Sequence, residues 1–372
     1  MTKGEFLLRD ISLAPHIRDL IDNELISEVQ VKEDKSVRIK ITDRCGLTCV
    51  FCHNEGTPVT NPNNQTKFRV SIYERNNGCS FESGSIKPNS NFINSILLLK
   101  EQFGINEIHW TGGEPMLNKE VVNLTRIAKG LGFTVNMTSN GELGSKLIPS
   151  LVDAGIDSIN YSIFGITPKE FLTTQSHLKQ DINFANQKVS KVIEAIESSI
   201  NKNIDVKANI VVVNEFDYQR VIHLINIFGK NLKIRLLPDL SKGNTSILAI
   251  YELLSKLKAQ AISRQYIGGS SNYRSDFLTS DGIQIGFKQI NRITLPITCA
   301  NCKLNNEAEC SEGYYGLRLY VDYFGNYLVG VCIQRMDLTM PISDFFSNNI
   351  SNEVKSFKSQ QYEFLKTKIK QK

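Results

Sequence analysis

The sequence has no apolar run approaching the ~20 residues that a bilayer-spanning helix needs, so it offers no candidate membrane span. Its opening stretch, MTKGEFLLRDISLAPHIRDL, lacks the basic-then-apolar layout of a secretory signal. Cytoplasmic residence is the expectation. No dense basic stripe is present either. The 43 basic and 38 acidic residues leave a net charge of +5 that is spread along the chain. That argues against a nucleic-acid partner and is compatible with an anionic small molecule. No internal repeat is visible.

What is present is an ordinary globular composition, 41% hydrophobic and 22% charged over 372 residues, enough for a large core and two domains. Eight cysteines in a cytoplasmic chain read as metal ligands or catalytic thiols rather than disulfides. Three fall close together at Cys45, Cys49 and Cys52, three more at Cys299, Cys302 and Cys310, and Cys79 and Cys332 stand apart.

The middle of the chain alternates short apolar runs with amphipathic stretches of helical period. VRIKI from Val37, EIHWT from Glu107, FTVNM from Phe133, SINYSI from Ser158, VKANIVVV from Val206 and LKIRLL from Leu232 are β-branched or aromatic-rich and end near turn formers. Between them FINSILLLKEQF, EVVNLTRIAKGLG, SKLIPSLVDAG, NQKVSKVIEAIESSI and DYQRVIHLINIFG predict helices, several closed by Gly132, Gly155 or Gly229. Six strands separated by helices imply βα units and a parallel sheet. The expected class is α/β: a partial, TIM-like (β/α)6 barrel with chemistry at the C-terminal strand ends.

Three regions fall outside that pattern. Residues 1–35 read as a mixed helical preface, and residues 59–91 as a polar, Asn- and Ser-rich insertion. From about residue 265 Gly-rich strand signals take over: GIQIGFKQI, GLRLYVD and NYLVGVC, with DYFGNY as a hairpin turn on Gly325 and Asn326. NEVKSFKSQQYEFLKTKIK reads as a basic surface helix. The expected domains are an N-terminal extension at 1–35, the partial barrel at 36–245 and a small Cys-rich α+β domain at 246–372.

ITDRCGLTCVFCHNEG sets Cys45, Cys49 and Cys52 in a C-x3-C-x2-C pattern directly after the first strand. Iron–sulfur cubes are normally held by four thiolates. Three close thiolates leave one iron open, which a reactive site needs. A zinc site with a distant fourth ligand, such as His53, is the alternative. CANCKLNNEAEC gives Cys299, Cys302 and Cys310, with Cys332 after the hairpin. Structural zinc and a second iron–sulfur cluster both suit that set.

The first motif, with Phe51 before the third cysteine, resembles the signature of the radical S-adenosylmethionine (SAM) superfamily. WTGGEPML, MTSNG, AGIDSINYS and LRLYVDYFGNYLVGVCI narrow the resemblance to its MoaA-like branch, whose namesake is the GTP 3′,8-cyclase of molybdenum cofactor synthesis. The resemblance runs from about Val37 to about Gln334 and leaves 59–91 unaccounted for.

It implies that Cys45, Cys49 and Cys52 hold a [4Fe–4S] cube whose open iron chelates SAM. One electron would cleave SAM to a 5′-deoxyadenosyl radical that takes a hydrogen atom from the substrate. Phe51 would lie near the adenine. Gly112, Gly113, Glu114 and Pro115 would meet the SAM amino group, and Ser139, Asn140, Ser162 and Asn209 its carboxylate or ribose. Tight turns and strand-end caps would explain those same residues without a ligand. The resemblance further implies a second [4Fe–4S] cluster on Cys299, Cys302, Cys310 and Cys332 in a twitch- or SPASM-like domain, and a reductant such as flavodoxin or ferredoxin.

This sequence departs from the branch in three ways: four auxiliary cysteines where the namesake uses three, Gly316 where it has the first of two arginines (only Arg318 matches), and Gln-Lys where it ends in Gly-Gly. GTP is thereby a doubtful substrate. Arg235 and Arg318 are the cationic candidates for a substrate anion, His109 a pocket-facing histidine, and Cys79 a spare thiol. The readings carried forward are radical chemistry on a small, nucleotide-like molecule, a maturase acting on a ribosomal peptide, and a non-catalytic zinc or iron–sulfur protein.

Overall fold

The computed structural model describes residues 14–59, 71–176 and 181–370. The first thirteen residues of the expected preface, residues 60–70 of the expected insertion and the terminal Gln-Lys lie outside the described residues. In chain order the elements are α1 (Pro15–Ile26), β1 (Glu28–Glu33), β2 (Ser36–Lys40), α2 (Ser90–Phe103), β3 (Glu107–Thr111), α3 (Val121–Gly130), β4 (Thr134–Ser139), α4 (Gly144–Asp153), β5 (Ser158–Ser162), α5 (Pro168–Thr173), α6 (Ile182–Asn201), β6 (Asp205–Val212), α7 (Tyr218–Phe228) and β7 (Lys233–Pro238). Then follow α8 (Asn244–Lys256), β8 (Gln260–Gly268), β9 (Asn272–Leu278), β10 (Gln284–Ile290), β11 (Leu317–Val321), β12 (Tyr327–Gly330), β13 (Met340–Pro341), α9 (Ile342–Ser347) and α10 (Asn349–Lys370). All six expected βα strands are present as β2 to β7, each followed by a helix, the α/β class read from periodicity. Among the described residues no helix is long and apolar enough to cross a membrane.

The chain divides into two compact units, neither continuous in sequence. One comprises Lys35–Lys207 and Gly316–Asn348, the other Met1–Asp34, Ala208–Tyr315 and Asn349–Lys372. The first is called the cysteine-loop unit below, and the second the terminal unit.

In the cysteine-loop unit the strand order is β5-β4-β3-β2-β11-β12-β13. Strands β2 to β5 and β11 are parallel, and β11 and β12 form the expected antiparallel hairpin. One sheet face is apolar: Ile108 and Trp110 on β3, Val135 and Met137 on β4, Ile159 and Tyr161 on β5, all fully buried. Helices cover it. Trp110 meets Phe92 of α2 and donates its indole N–H to Thr125 of α3 at 3.1 Å, while Tyr161 bonds the Ala195 carbonyl and Ser199 of α6.

The opposite face is polar, because period-2 alternation puts the remaining residues of each strand there. In register it carries Arg318, Arg38, His109, Asn136 and Ser158 as one row, and Thr138 and Asn160 as partners in the next. Thr111 ends β3 opposite Lys40 on that same face.

In the terminal unit β8, β9 and β10 form an antiparallel sheet, with β1 parallel to β8 at one edge and β7 parallel to β10 at the other side. The preface is thus partly a strand, and it completes this sheet. Its helix contributes a buried carboxylate. Glu24 accepts from Tyr251 at 2.6 Å, Tyr273 at 3.1 Å, Gln289 at 3.2 Å and from Ser275. Helix α10, expected as a surface helix, instead buries Ser351, Val354, Phe357 and Lys358. Lys358 pairs with Asp34 at 3.0 Å, and Tyr314 meets Phe357 edge-on.

Candidate functional site

The loop after β2 carries Cys45, Cys49 and Cys52, each half-buried and unbridged. Two carboxamides donate toward its sulfurs. Asn140 Nδ2 lies 3.8 Å from Cys45 Sγ, and Gln175 Nε2 lies 3.7 Å from Cys49 Sγ. The Leu47 amide adds a third N–H, 3.5 Å from Cys45 Sγ. Burial, then the neighbouring Cys45 and Cys52, push the Cys49 thiol well above its ordinary value. A thiol whose ionisation is this costly gains its partner when a metal cation offsets the charge. Among the described residues no three His, Cys, Asp or Glu side chains are already gathered as a metal-holding group. What fits the loop to an iron–sulfur cube is the chemistry of its donors: three thiols on one turn and N–H groups aimed at two of them.

The glycines of the Gly112-Gly113-Glu114-Pro115 turn have a definite job. Gly113 N donates to Thr42 O at 2.8 Å, and Glu114 N to Arg44 O at 2.7 Å. A Cβ on Gly112 would run into Thr42 O, and one on Gly113 into Arg44 O. Backbone therefore zips to backbone and fixes the base of the cysteine loop. The Glu114 side chain is buried and engaged internally. It accepts from Met116 N at 3.0 Å, Ser139 Oγ at 2.7 Å and Asn140 N at 2.6 Å. Burial raises its acid to about 7 against those three donors. Ser139 is spent on Glu114 and on the Gly141 amide. Asn140 is held by Glu142 N on its Oδ1, which turns its amide toward Cys45.

Phe51 is 47% exposed and meets Phe164 at 5.9 Å, an aromatic surface beside the loop. Beneath the loop Leu47, Phe171, Ala185 and Val189 form a core against which Cys45 and Cys49 pack. A half-buried ion pair, Glu142 with Lys188, lies against Gly46. Ser162 is half-buried at the end of β5.

Arg318 is buried and paired with Glu55 at 3.2 Å, and Arg38 meets the same carboxylate at 2.6 Å. Burial opposes ionisation of Glu55, but Arg38, His53 and Arg318 outweigh it and hold the carboxyl well below its usual range. The charge of Arg318 is thus balanced within the chain. His53 is exposed, and its Nδ1 accepts from Glu55 N at 3.1 Å, so that ring atom serves the turn and not a sulfur. Cys79 is buried with Tyr320, Leu328 and Met336. His109 shares a hydrogen with Thr138 Oγ1 at 2.7 Å on the polar face.

In the terminal unit Asn209 shares a face of β6 with Lys207 and Val211, while Ala208 and Ile210 are fully buried on the other; its Oδ1 is buried without a hydrogen-bond partner. Arg235 is half-buried on β7. Cys299, Cys302 and Cys310 lie on consecutive turns of this unit. Arg292 fastens them through Cys310 O and Asn305 Oδ1, both at 2.6 Å. Glu353 of α10 caps the first turn through Ile297 N at 2.6 Å and Thr298 N at 3.0 Å. Cys332 belongs to the cysteine-loop unit.

Sequence reasoning missed Gln175, Glu142, Lys188, Arg292 and Glu353, whose partners lie far off along the chain. Asn54 and Glu55 were within the quoted motif, and only their partners were invisible.

A parallel sheet of βα units with a three-thiol loop at the end of its first βα strand defines a class of metal-dependent radical enzymes. Residues 39–227 match the Radical SAM superfamily, and the chain belongs to it. That family uses a [4Fe–4S] cluster and SAM, and its chemistry is reductive cleavage of SAM.

More particularly, the chain is similar to GTP 3′,8-cyclases and is an enzyme of the MoaA-like type. It is 25% identical over 276 residues to a probable GTP 3′,8-cyclase of Methanosarcina acetivorans, covering 72% of each chain. Against the GTP 3′,8-cyclase of Staphylococcus epidermidis the identity is 26%, covering 59% of this chain and 58% of the relative. Against a probable GTP 3′,8-cyclase of Saccharolobus solfataricus it is 26%, covering 86% and 90%. Among solved structures, Streptococcus suis SuiB aligns with a TM-score of 0.43 at 14% identity, covering 68% of this chain and 52% of that one.

Proposed function

We propose that Cys45, Cys49 and Cys52 hold the SAM-binding [4Fe–4S] cluster, and that the radical chemistry is directed at a small, polar, nucleotide-like molecule seated on the polar face of β3 to β5. With cluster and SAM bound, the site supplies one-electron cleavage of SAM and hydrogen-atom abstraction. Gly112 and Gly113 set the loop by backbone pairing, Asn140 and Gln175 donate to the thiolates, and Phe51 offers an aromatic surface for the adenine. In this reading Ser162 and the strand-end amides meet the rest of SAM.

The observation that carries the substrate class is a pair of orphaned atoms. Thr111 and Asn160 are each at least nine-tenths buried, yet Thr111 Oγ1 and Asn160 Oδ1 have no hydrogen-bond partner. Thr111 immediately precedes Gly112, and Asn160 lies two residues before Ser162. A neutral hydroxyl- or amide-bearing ring would satisfy both. Pairing of Arg318 with Glu55 disfavours a triphosphate at that arginine, so GTP itself is not the favoured substrate. Residues Ala14–Asp34 are engaged in their own sheet and core, which favours a small molecule over a precursor peptide.

We further assign Cys299, Cys302 and Cys310 to an auxiliary [4Fe–4S] cluster, a flavodoxin or ferredoxin as reductant, and a cytoplasmic setting. Anaerobically reconstituted protein should carry roughly seven or eight iron atoms per chain, the content of two cubes. It should form 5′-deoxyadenosine from SAM and dithionite, and Cys49→Ala should abolish that. Zinc without iron, or no 5′-deoxyadenosine from iron-loaded protein, would sink the proposal.

A further inference from the structure

The stretch from Asp43 to Asn54 contains all three cysteines of the loop, and its two ends are tied together by side chains. Asn54 Nδ2 donates to Asp43 Oδ1 at 2.7 Å. The same oxygen receives Lys40 Nζ at 2.6 Å. Lys40 also donates to Ser83 Oγ at 3.0 Å and to Thr57 Oγ1. The Asn54 amide is within 3.1 Å of Thr57 O, Thr57 Oγ1 and Pro58 O, and Thr57 Oγ1 donates back to Asn54 O at 2.9 Å. The knot is dry: Lys40 is 2% exposed, Asp43 8% and Asn54 3%.

A lysine buried on a strand, spent on a loop carboxylate, is a costly way to hold a turn. The backbone is strained as well. Asn54 and Glu55 both adopt left-handed φ, 48° and 55°, a conformation that asparagine tolerates and that glutamate avoids. Glu55 is pinned in that state by Arg38 and Arg318, and its carbonyl by the Tyr320 hydroxyl at 2.8 Å. The Asn54–Asp43 bond closes the neck of the loop, and the Lys40 and Thr57 bonds brace it from both sides. Without the bond from Asn54 to Asp43, an open neck would let the three cysteines spread apart before a metal arrives.

We infer that Lys40, Asp43, Asn54 and Thr57 form a clasp that sets the spacing of Cys45, Cys49 and Cys52, and that Asn54 is its positioning residue. The inference rests on the cluster assignment proposed above. Asn54→Gly deletes the amide and keeps a backbone that tolerates the left-handed turn. Iron-free Asn54→Gly should melt within a few degrees of wild type. Iron loss from the reconstituted variant should be about tenfold faster, as for other groups that orient metal ligands. The paramagnetic signal of its reduced cluster should broaden, and the KM for SAM should rise more than kcat falls.

Identical iron retention, signal and KM in a folded Asn54→Gly chain would overturn the clasp. Should that variant unfold, Thr57→Val, which removes hydrogen bonds from the clasp without altering its backbone, is read by the same three measurements, and unchanged values again overturn it. A wild-type chain that takes up no iron overturns the cluster assignment and the clasp together; the variant results separate the two.

Discussion

At the scale of single residues, charge state is set by which of two opposing effects wins. Glu114 and Glu55 are both buried carboxyls beside the cysteine loop, and they move in opposite directions. Glu114 has neutral donors only, and burial lifts it from 4.5 to about 7. Glu55 has two arginines, and they hold it down despite its burial. Folding therefore makes Glu114 bind its proton more tightly. The stability linked to that proton is complete below about pH 4.5 and is lost as pH climbs through about 7. A shift of that size corresponds to about 3 kcal/mol at most. Glu55 acts in the reverse sense: its contribution is present at neutral pH and disappears in acid. Glu114→Gln keeps an acceptor for the Ser139 hydroxyl without a titrating proton. The melting temperature of wild type should fall between pH 5 and 7 relative to Glu114→Gln, whose profile should be flatter. Parallel profiles would show that Glu114 does not hold a proton in the folded chain. The cysteines, Phe51 and the glycine turn were legible because their chemistry is local in sequence. Gln175 and the clasp were not, since a carboxamide acquires meaning only from a partner that folding brings to it.

At the scale of elements, strands declare themselves when one face is apolar. The strands β2 to β7 follow that rule, and their spans fell within a residue or two of the expected runs. By contrast β8 and β9 gave no signal. Arg264, Tyr273 and Ser275 on one face and Gln265 on the other are all buried, so the alternation is polar on both faces. The reason is Glu24. A buried carboxylate demands donors, and the neighbouring strands and α8 supply hydroxyls and an amide in place of methyl groups. Burial, followed by the Glu24 charge, pushes the Tyr251 and Tyr273 hydroxyls well above their ordinary values, so both remain donors at neutral pH. Glu24→Ala would remove the shared acceptor of four donors, Tyr251, Tyr273, Ser275 and Gln289, in a largely buried site. At about 1 kcal/mol or more for each donor left unpaired, the loss should reach about 3 kcal/mol or more. Ser275→Ala, which removes one donor and leaves the acceptor with three, should cost about 1 kcal/mol. Urea denaturation followed by tyrosine fluorescence measures both, and equal effects would mean that the network does not act through Glu24.

At the scale of the whole chain, the cysteines separate into two chemical settings. Cys45, Cys49 and Cys52 share one loop, with amide donors directed at two sulfurs and an aromatic surface at Phe51. Cys299, Cys302 and Cys310 sit on turns braced by an arginine and by a glutamate from the C-terminal helix. Composition and spacing announced both sets, but spacing alone left zinc and iron–sulfur open for the second, because either metal accepts thiolates on such turns. Function can distinguish the sets. Reductive cleavage of SAM needs only the cluster that binds it, whereas an auxiliary cluster acts on substrate or on electron delivery. Cys302→Ala should therefore lower iron content by roughly one cube, about four atoms, while retaining measurable 5′-deoxyadenosine formation that is no longer coupled to product. Loss of all SAM cleavage in a folded Cys302→Ala chain that still holds the first cluster would show that electrons reach SAM through the second set. Unchanged iron with one zinc per chain lost would instead assign that set to structural zinc.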